Sequence, residues 1–425
     1  MDADQPSMRV TIVGLNYAPE PTGIAPYTAG LAEGLVARGH AVHVVTAYPH
    51  YPQWEIAAGY TGRTHEEELD GVSVLRVKPY VPRKLTSLKR LLMELHFGIR
   101  AVFSPWEAPD VVILVTPALF ATRIVALRAR LARTPTCVWV QDIYSLGIAE
   151  TGAGSRAARA VALIERSTLR AATRVVVIHD RFRRYLSANL GVEQSAVDVV
   201  RNWSHIDTDA LRHDATIRAR FGWEPDDIIV LHAGNMGAKQ GLLNVVRASQ
   251  LADERGSRVR FVLLGDGNMR EALEAEGPNS RLQFLDPLPD GAFEAALASA
   301  DILLVNELPG LTEMSVPSKL TSYFATGLPV IGSVDEDSTT AEELRSAGAG
   351  PIVDPTRPID LLLAAEDLAA DPERAARHGR SAQEYRVEML TADSSISSFA
   401  AILFELAASG HSTTTVEYST AIGPA

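Results

Sequence analysis

The sequence contains a single cysteine, Cys137, among its 425 residues. One cysteine excludes an intrachain disulfide and any metal cluster that needs several thiolates. Because Cys137 lies in the apolar run Cys-Val-Trp-Val, we interpret it as a buried structural residue rather than a nucleophile. The 11 histidines are scattered without the spacing of metal ligands, so no structural metal is expected.

Long apolar segments are also missing. No run approaches the roughly 18 residues that a membrane-spanning helix needs. Residues 1–7, which precede the first predicted strand, lack the apolar core of a signal peptide. The composition, with 46% hydrophobic and 22% charged residues, is that of a soluble globular protein. We therefore predict a cytoplasmic location.

The length and the charge distribution both indicate two domains. A chain of 425 residues is too long for one ordinary core, so two domains of roughly 200 residues each are expected. Residues 1–205 carry 23 Lys and Arg against 18 Asp and Glu, a net charge of +5. The remaining residues carry 17 against 34, a net charge of −17, so the two halves are predicted to have different roles.

Apolar strands alternate with helical patterns through both halves. This alternation predicts an α/β protein with two parallel sheets that carry helices on both faces. The first domain is predicted at residues 1–205 and the second at 206–390, with the boundary near Asn202 to Asp209. A last helix at 391–408 and a disordered polar tail at 409–425 complete the prediction.

The stretch 313–332 combines a loop, a short helix from Ser318 to Thr326 and an apolar strand. Another apolar strand at 302–305 precedes it, so the intervening loop lies where doubly wound sheets bind ligands. Ser318 and Lys319 fall in the first turn of the helix, whose free N–H groups suit an anion. Glu313 lies just before this helix, either as a site residue or as a solvated loop acid.

A second candidate anion site is the loop 233–241, Ala-Gly-Asn-Met-Gly-Ala-Lys-Gln-Gly, between a predicted strand and a helix. Its glycines allow the backbone to approach a ligand closely, and Lys239 adds a positive charge. The pattern predicts a phosphate cradle, with a glycine-rich turn and a solvated lysine as the alternative. Leu264-Gly-Asp-Gly267 has a similar position and is either a ligand contact or a turn capped by Asp266.

Polar and basic residues elsewhere give weaker signals. Asp142 ends an apolar strand, where it either caps a helix or faces a ligand cleft. The run Asp335-Glu-Asp337 is the candidate for chelating a metal–nucleotide, although a solvated loop is the better interpretation. Basic amphipathic helices at 83–104 and 124–133 suit an anionic membrane surface, or core packing with a solvated basic face.

Motifs in both halves resemble those of the retaining GT-B glycosyltransferases of family four (glycosyl transferases group 1). The branch that they resemble serves colanic-acid and related polysaccharide biosynthesis. In the first half the motifs are Gly14-Leu-Asn-Tyr-Ala-Pro-Glu-Pro-Thr-Gly-Ile-Ala-Pro-Tyr27, Thr46-Ala-Tyr-Pro-His-Tyr-Pro52, Gln141-Asp142 and Arg201-Asn-Trp-Ser204. In the second half they are Gly234-Asn-Met-Gly-Ala-Lys-Gln-Gly241, Gly265-Asp-Gly267 and Val316-Pro-Ser-Lys-Leu320.

The resemblance implies a GT-B fold, with two Rossmann-like domains that face each other across a cleft. It implies that the second domain binds a UDP- or GDP-linked sugar, that the first binds the acceptor, and that the last helix crosses back to the first domain. The implied reaction transfers the sugar with retention, without a metal or cofactor, to a sugar-containing, lipid-linked or small-metabolite acceptor through oxygen or sulfur. No nucleic acid partner is expected. In the mechanism implied, the leaving phosphate takes the acceptor proton, so the protein supplies positioning and charge stabilisation.

The resemblance also assigns individual residues. Those assigned to the donor are Gly23, Gly234, Asn235, Lys239, Gln240, Gly265, Leu288, Pro317, Ser318, Leu320 and Ser322. Those assigned to the acceptor are Asn16, Tyr17, Thr22 and Tyr27, and the candidate catalytic residues are Asp142, Glu313 and Lys319. In this assignment Gly23 lies near the donor phosphates, Lys239 neutralises them and Leu288 lies near the base.

The sequence departs from the family pattern at its charged residues. The Arg and Lys of the family's phosphate loop correspond to Asn235 and Gln240, which leaves Lys239 as the cation. The family's Glu, seven residues, Glu pattern also fails, because its positions hold Met314 and Ser322 and Glu313 is one residue away. Ribose recognition is therefore unassigned, and a catalytically silent nucleotide-sugar-binding scaffold or regulatory protein is the alternative. Epimerase and NAD-linked chemistry are less favoured, since neither an acid–histidine cluster nor a glycine fingerprint is found.

Overall fold

The computed structural model describes residues 6–21, 23–82, 86–145, 155–203, 211–277, 279–289, 291–310 and 318–412. The chain divides into two compact units. The first contains Met1–Asn202 together with Ala392–Ala425, and the second contains Trp203–Thr391. The C-terminal helix therefore belongs to the same unit as the N-terminal half.

The described residues of the first unit form an eight-stranded sheet in the order β3-β4-β2-β1-β5-β6-β7-β8. All neighbouring strands run parallel except β3 and β4, which pair antiparallel. The elements are β1 (Arg9–Val13), α1 (Ala25–Ala37), β2 (Ala41–Ala47), β3 (Thr64–Leu69), β4 (Val72–Val77), α2 (Ser87–Phe103), β5 (Val111–Val115), α3 (Leu119–Leu131), β6 (Thr136–Val140), α4 (Ser155–Ala171), β7 (Arg174–Val177), α5 (Asp180–Leu190) and β8 (Val197–Val199).

The second unit has a six-stranded parallel sheet, in the order β11-β10-β9-β12-β13-β14 over its described residues. Its elements are α6 (Ala215–Phe221), β9 (Ile228–Ala233), α7 (Leu243–Glu254), β10 (Val259–Leu264), α8 (Arg270–Glu274), β11 (Leu282–Leu285), α9 (Ala292–Ala298), β12 (Ile302–Asn306), α10 (Ser318–Thr326), β13 (Val330–Ser333), α11 (Thr339–Ala347), β14 (Ile352–Val353), α12 (Pro358–Ala370) and α13 (Pro372–Met389). Strands β9 and β12 are apolar and buried along almost their whole length, as expected for strands covered by helices on both faces.

The last helix, α14 (Ala392–Ser412), packs on the first unit. Its Phe399 ring lies edge-on to Trp139 of β6, with centroids 4.9 Å apart. Ser395 donates to the backbone carbonyl of Arg201 at 2.8 Å. The helix extends to Ser412, so the predicted tail is helical over 409–412; its remainder, 413–425, lies outside the described residues.

One helical stretch among the described residues, Pro372–Ser409, contains a window long and apolar enough to cross a membrane by length and composition. A core helix of a soluble protein passes the same test, so this is weak evidence. The apolar side of α14 already has a partner, because Ile396, Phe399 and Leu403 are buried in the first unit. We therefore interpret this segment as a packing helix.

Candidate functional site

The second sheet has a topological switch point at β9. This strand pairs with β10 on one side and with β12 on the other, so the chain winds in opposite directions from it. Doubly wound sheets bind ligands at such a point, outside the carboxyl ends of the strands. The loops that follow β9, β10 and β12 are therefore the place to look for a site.

The glycine-rich loops after β9 and β10 are hydrogen-bonded to each other. The N–H of Gly234 donates to Leu264 O at 2.8 Å, and the N–H of Met236 donates to Asp266 O at 2.8 Å. A Cβ atom at Gly265 would lie 2.0 Å from the carbonyl oxygen of Gly234, where no side chain fits. Gly265 also has φ +137°, a backbone conformation that L residues rarely adopt. The two predicted loops thus form one close-packed layer of backbone.

The loop after β12 joins the same layer. Leu308 N–H donates to Lys239 O at 2.8 Å. The buried Asn306 side chain donates from Nδ2 to Gln240 O at 2.8 Å and to Gly241 O at 3.1 Å. The loops after β9, β10 and β12, which are distant from one another in sequence, are therefore joined at one edge of the sheet.

Helix α10 contacts this loop layer through the side chain of Lys319. Its Nζ lies 3.2 Å from Nε2 of His232, at the end of β9. The same Nζ would lie 3.7 Å from a Cβ atom at Gly234, so it occupies the space beside the glycine loop. Burial lowers the pKa of Lys319 to about 8, an effect that the negative charge of Glu307 opposes. The ammonium is consequently mostly charged at pH 7 and is held directly against the predicted phosphate cradle.

Lys319 interacts electrostatically with two groups, the buried His232 and the half-buried Glu307. Burial, reinforced by the charge of Lys319, lowers the pKa of His232 far below its usual range, so its ring stays neutral and can accept from the ammonium. Burial raises the pKa of Glu307, while a 2.6 Å hydrogen bond from Thr340 Oγ1 and the charge of Lys319 oppose that shift. A neutral acceptor and a nearby carboxylate together hold the lysine in place.

The rest of α10 is anchored by its apolar side. Tyr323 accepts from Ala233 N–H at 2.8 Å, which ties the helix to the end of β9. Leu320 is fully buried in the core, so contact with a ligand there is limited to its backbone. Ser322 is partly exposed. These positions fix the helix axis and leave Lys319 pointing at the loop layer.

The remaining donor candidates lie at the same edge in different environments. Asn235 and Lys239 are exposed, and Leu288 is half-buried against the core after β11. Gln240 Oε1 accepts from Gly237 N–H at 3.1 Å, so this side chain already shapes the loop. Contacts of these residues with a donor stay predictions.

Several predicted site residues fall outside the described part of the chain. They are Thr22, Glu313 and Pro317, together with the side chain of Ser318. The backbone of Ser318 begins α10, as predicted. The run 335–337 is described, and Asp335 Oδ2 accepts from Gly310 N–H at 2.6 Å, so it fastens the loop after β12.

In the first unit, the loop after β1 is organised by the buried carboxylate of Glu20. Its Oε2 accepts from Asn16 Nδ2 at 2.8 Å, and its Oε1 accepts from the backbone N–H groups of His50 and Tyr51 at 2.8 and 2.9 Å. Gly23, at φ +69°, lies beside the Tyr51 ring, which would be 3.6 Å from a Cβ atom there. Asn16 and Gly23 are thus brought to one loop cluster at the carboxyl edge of β1 and β2.

The other first-unit candidates lie around this cluster. Tyr17 is fully buried, 6.0 Å from the guanidinium of Arg76, and burial raises the pKa of its hydroxyl. Tyr27 is buried in α1, and burial raises its pKa to about 12. Asp142 is exposed at the carboxyl end of β6. Acceptor contacts by these residues and a catalytic role of Asp142 remain predictions.

Three polar residues at these edges were not singled out from the sequence. His232 interrupts the apolar run of β9, and Glu307 follows β12 directly. A polar residue next to the carboxyl end of a buried strand was an available signal for both. Glu20 sits between two prolines in the loop after β1, and nothing in its spacing marks it as a loop organiser. Within the described residues, no group of three or more His, Cys, Asp or Glu side chains is placed to hold a metal ion.

Two doubly wound α/β units, one with interlocked glycine-rich loops at its switch point, define a protein of the GT-B architecture. Solved structures of this architecture match nearly the whole chain, which confirms the fold prediction. Sucrose-phosphate synthase from Thermosynechococcus elongatus gives a TM-score of 0.69 at 17% identity, covering 95% of this chain and 100% of that one. HepE from Anabaena, solved with UDP, gives 0.67 at 15% identity, covering 94% and 100%.

Sequence comparison gives the family. Residues 22–203 match the glycosyl transferase 4-like domain, and residues 214–385 match the glycosyl transferases group 1 domain. The glycosyl transferase WcaI of Escherichia coli K12, whose name assigns it provisionally to colanic acid biosynthesis, is 34% identical over 346 residues. That match covers 75% of this chain and 82% of WcaI. The chain belongs to the glycosyl transferases group 1 family, so the resemblance noted in the motifs is confirmed.

Proposed function

We propose that this protein transfers a sugar from a nucleoside diphosphate sugar, bound by the second unit, to an acceptor bound by the first. Donor binding by the second unit is supported by one observation, the ammonium of Lys319 held beside Gly234 in the interlocked loop layer. Backbone N–H groups, a helix start and a fixed cation form a combination that suits a diphosphate. The family membership supports the transfer itself.

For the donor, we propose a UDP- or GDP-linked sugar. HepE, which shares the fold, has been solved with UDP, with UDP and glucose, and with UDP-glucose. At 15% identity that likeness supports the placement of a nucleotide on this architecture and leaves the base open. The acceptor that we propose is a lipid-linked saccharide or a small metabolite, and the site of action is the cytoplasm.

The proposed reaction retains the anomeric configuration and needs no metal. The bond between the anomeric carbon and the diphosphate oxygen breaks, and a bond from the acceptor oxygen or sulfur forms on the same face. The acceptor proton passes to the departing diphosphate. Lys319 and the first-turn N–H groups of α10 would stabilise the negative charge that develops on that leaving group. The protein therefore has to position and neutralise, and a dedicated general base is not required.

The direct test incubates the full chain with a panel of UDP and GDP sugars, with and without an acceptor extract. Donor hydrolysis or transfer is followed by nucleotide release, and NMR of the product gives its anomeric configuration. Activity that persists in EDTA, with a product of unchanged configuration, is expected. Absence of both turnover and nucleotide binding over the whole panel would refute the proposal.

Removing the positive charge of Lys239 is expected to weaken donor binding. Lys239→Ala deletes a charge-assisted contact with the diphosphate, and such contacts contribute about 1.5–3 kcal/mol. The dissociation constant for UDP or GDP, measured by calorimetry, should therefore rise about 10- to 150-fold. An unchanged constant would show that the loop 233–241 does not bind the phosphates through this side chain.

Donor binding should also weaken as the pH rises through about 8, which is the pKa of Lys319. Below this pH the ammonium is protonated and attracts the diphosphate; above it the amine is neutral and the attraction is lost. Titrating UDP or GDP against the wild type between pH 6.5 and 9.5, a range of about three units around that pKa, measures the effect. A Lys319→Met variant should lack this alkaline limb, and an identical limb in both proteins would assign it to another group.

A second candidate function is a protein that binds nucleotide sugars without turning them over. It is favoured by Ser322, which occupies the position of the family's second Glu. Calorimetry that shows nucleotide-sugar binding, together with no transfer or hydrolysis for any donor in the panel, would select this function over the transferase.

A further inference from the structure

Helices α2 and α3 of the first unit lie side by side and run in the same direction. A Cβ atom at Gly98 of α2 would lie 2.8 Å from Cα of Ala121, so the two backbones approach closely. Near the start of α3, Phe120 N–H donates to the buried carboxylate of Glu94 at 3.0 Å. Near its end, Arg128 Nη1 donates to Val102 O at 2.6 Å, at the end of α2. These contacts join the two helices into one packed pair. The solvent-exposed surface of this pair is here called the α2–α3 face.

The α2–α3 face is unusually apolar for a solvent-exposed surface. Half of the twelve large apolar side chains that the described residues expose lie on it: Leu88, Leu92, Ile99 and Phe103 on α2, and Leu127 and Leu131 on α3. Their spacing places them in one stripe on each helix. Phe103 and Leu131 are 85% and 83% exposed, and each is the last residue of its helix. Exposed apolar surface of this extent marks an interaction site.

Positive charge accompanies these apolar stripes. The cations of the two helices are Lys89, Arg90, Arg100, Arg123, Arg128 and Arg130. The two helices carry one acid, Glu94, which is buried and paired with Arg90 at 3.2 Å. Residues 1–205 carry a net charge of +5 although the whole chain carries −12. Arg128 is held within the fold by backbone carbonyls and the Trp106 ring, and Arg90 is held by Glu94 and the Tyr144 ring. Lys89, Arg100, Arg123 and Arg130 remain as the positive charges that accompany the apolar stripes.

We propose that the α2–α3 face docks on a lipid bilayer that contains anionic phospholipids. Apolar side chains on paired amphipathic helices enter the boundary between headgroups and acyl chains, while Lys and Arg side chains meet the anionic headgroups. A second copy of this chain fits the face less well, because a symmetric contact would bring its cations against the same cations. Charge complementarity therefore selects the anionic surface.

The α2–α3 face is connected to the candidate acceptor side of the first unit. Glu94 accepts from the Tyr144 hydroxyl at 3.1 Å, and the Arg90 guanidinium lies 4.9 Å from the Tyr144 ring centroid. Tyr144 follows Asp142 by two residues, at the carboxyl end of β6. Docking would hold that end of the sheet close to the bilayer. If the proposed transferase function is right, on which this step rests, the acceptor is lipid-linked rather than a soluble metabolite.

Vesicle co-sedimentation of the full chain tests the docking. The vesicles are phosphatidylcholine alone and phosphatidylcholine mixed with phosphatidylglycerol, each at low and high salt. We expect binding to the mixed vesicles, weakened by salt. A double variant, Phe103→Ser with Leu131→Ser, should lower the partition coefficient about tenfold or more. A charge variant, Arg123→Gln with Arg130→Gln, should lower it on the mixed vesicles and reduce its salt dependence.

A matched control removes exposed apolar side chains from the other unit. Leu363→Ser with Val387→Ser should bind vesicles like the wild type, since both residues lie on helices of the second unit. Donor hydrolysis without lipid is measured in parallel and should be unchanged in the double variant, which separates failure of docking from failure of the transferase proposal. Equal binding by wild type and double variant, or no binding to either vesicle, would overturn the docking. Loss of self-association in the ultracentrifuge on the same substitutions, without vesicle binding, would assign the face to a second copy.

Discussion

Replacing Lys319 with methionine is expected to reduce turnover of the donor by about 100- to 1,000-fold, as loss of a preorganised charge at a leaving group does in other enzymes. Methionine keeps most of the volume of the lysine stem and removes the ammonium. In the wild type this ammonium is held by His232 at 3.2 Å, beside Gly234. Because the leaving diphosphate gains charge as the sugar departs, the loss should appear in kcat as well as in kcat/KM.

The Lys319→Met variant should fold at least as well as the wild type, which makes its kinetic defect interpretable. The pKa of Lys319 is lowered to about 8 in the folded protein. The folded state therefore binds this proton more weakly than the unfolded chain, and the resulting destabilisation is present below pH 8 and relieved as the pH rises above it. At pH 7 the variant should be more stable by about 0.5–2 kcal/mol, and the difference should shrink toward pH 10, near the unfolded pKa of about 10.4.

Two controls limit the interpretation. Lys78→Met removes an exposed lysine of the first unit and should leave the steady-state constants unchanged. Glu313→Ala should impair transfer less than the loss of Lys319; the reverse order would mean that the acidic role of the family survives one residue out of register. Turnover by Lys319→Met within threefold of the wild type, roughly 0.65 kcal/mol, would remove Lys319 from the catalytic machinery.

Sequence patterns predicted most of the sheet, and the physical reason for the exceptions is visible in the strands. Buried parallel strands such as Val111–Val115 are continuous apolar runs, which sequence patterns detect directly. The strand Thr64–Leu69 was not predicted, because it is charged (Thr-His-Glu-Glu-Glu-Leu) and lies at the antiparallel edge of the first sheet. An edge strand needs no apolar face on its solvent side, so its composition does not distinguish it from a loop. It is recognised only by its pairing with the neighbouring strand.

The candidate site shows a similar division. The loops at 233–241 and 264–267 and the helix start at Lys319 were predicted separately from glycine content and position. Their assembly depends on long-range contacts, such as that of Leu264 O with Gly234 N–H, which no local pattern contains. His232 and Glu307 acquire their importance from facing Lys319 in space, and a single sequence does not state which polar strand ends face each other.

Replacing Gly265 with alanine is expected to destabilise the second unit by about 3–5 kcal/mol, through backbone strain and overpacking together. The strain arises because Gly265 has φ +137°, and the overpacking arises because its Cβ would lie 2.0 Å from Gly234 O. Relieving that clash requires the loops after β9 and β10 to separate, which breaks the hydrogen bond from Gly234 N–H to Leu264 O. Donor binding should therefore be lost even at temperatures where the variant is folded.

Gly256→Ala is the matched control for this substitution. Gly256 also has a positive φ, +62°, but a Cβ atom there would meet nothing within 4 Å. Gly256→Ala should lower the free energy of unfolding only by the cost of a left-handed conformation, about 1–2 kcal/mol. Its affinity for UDP or GDP should be unchanged. Thermal unfolding of both variants, with and without nucleotide, separates strain from the clash: nucleotide should raise the Tm of Gly256→Ala and not that of Gly265→Ala. Equal destabilisation and equal nucleotide binding by the two variants would mean that the loop layer is not the donor cradle, since opening its backbone contact would then have no consequence for the ligand.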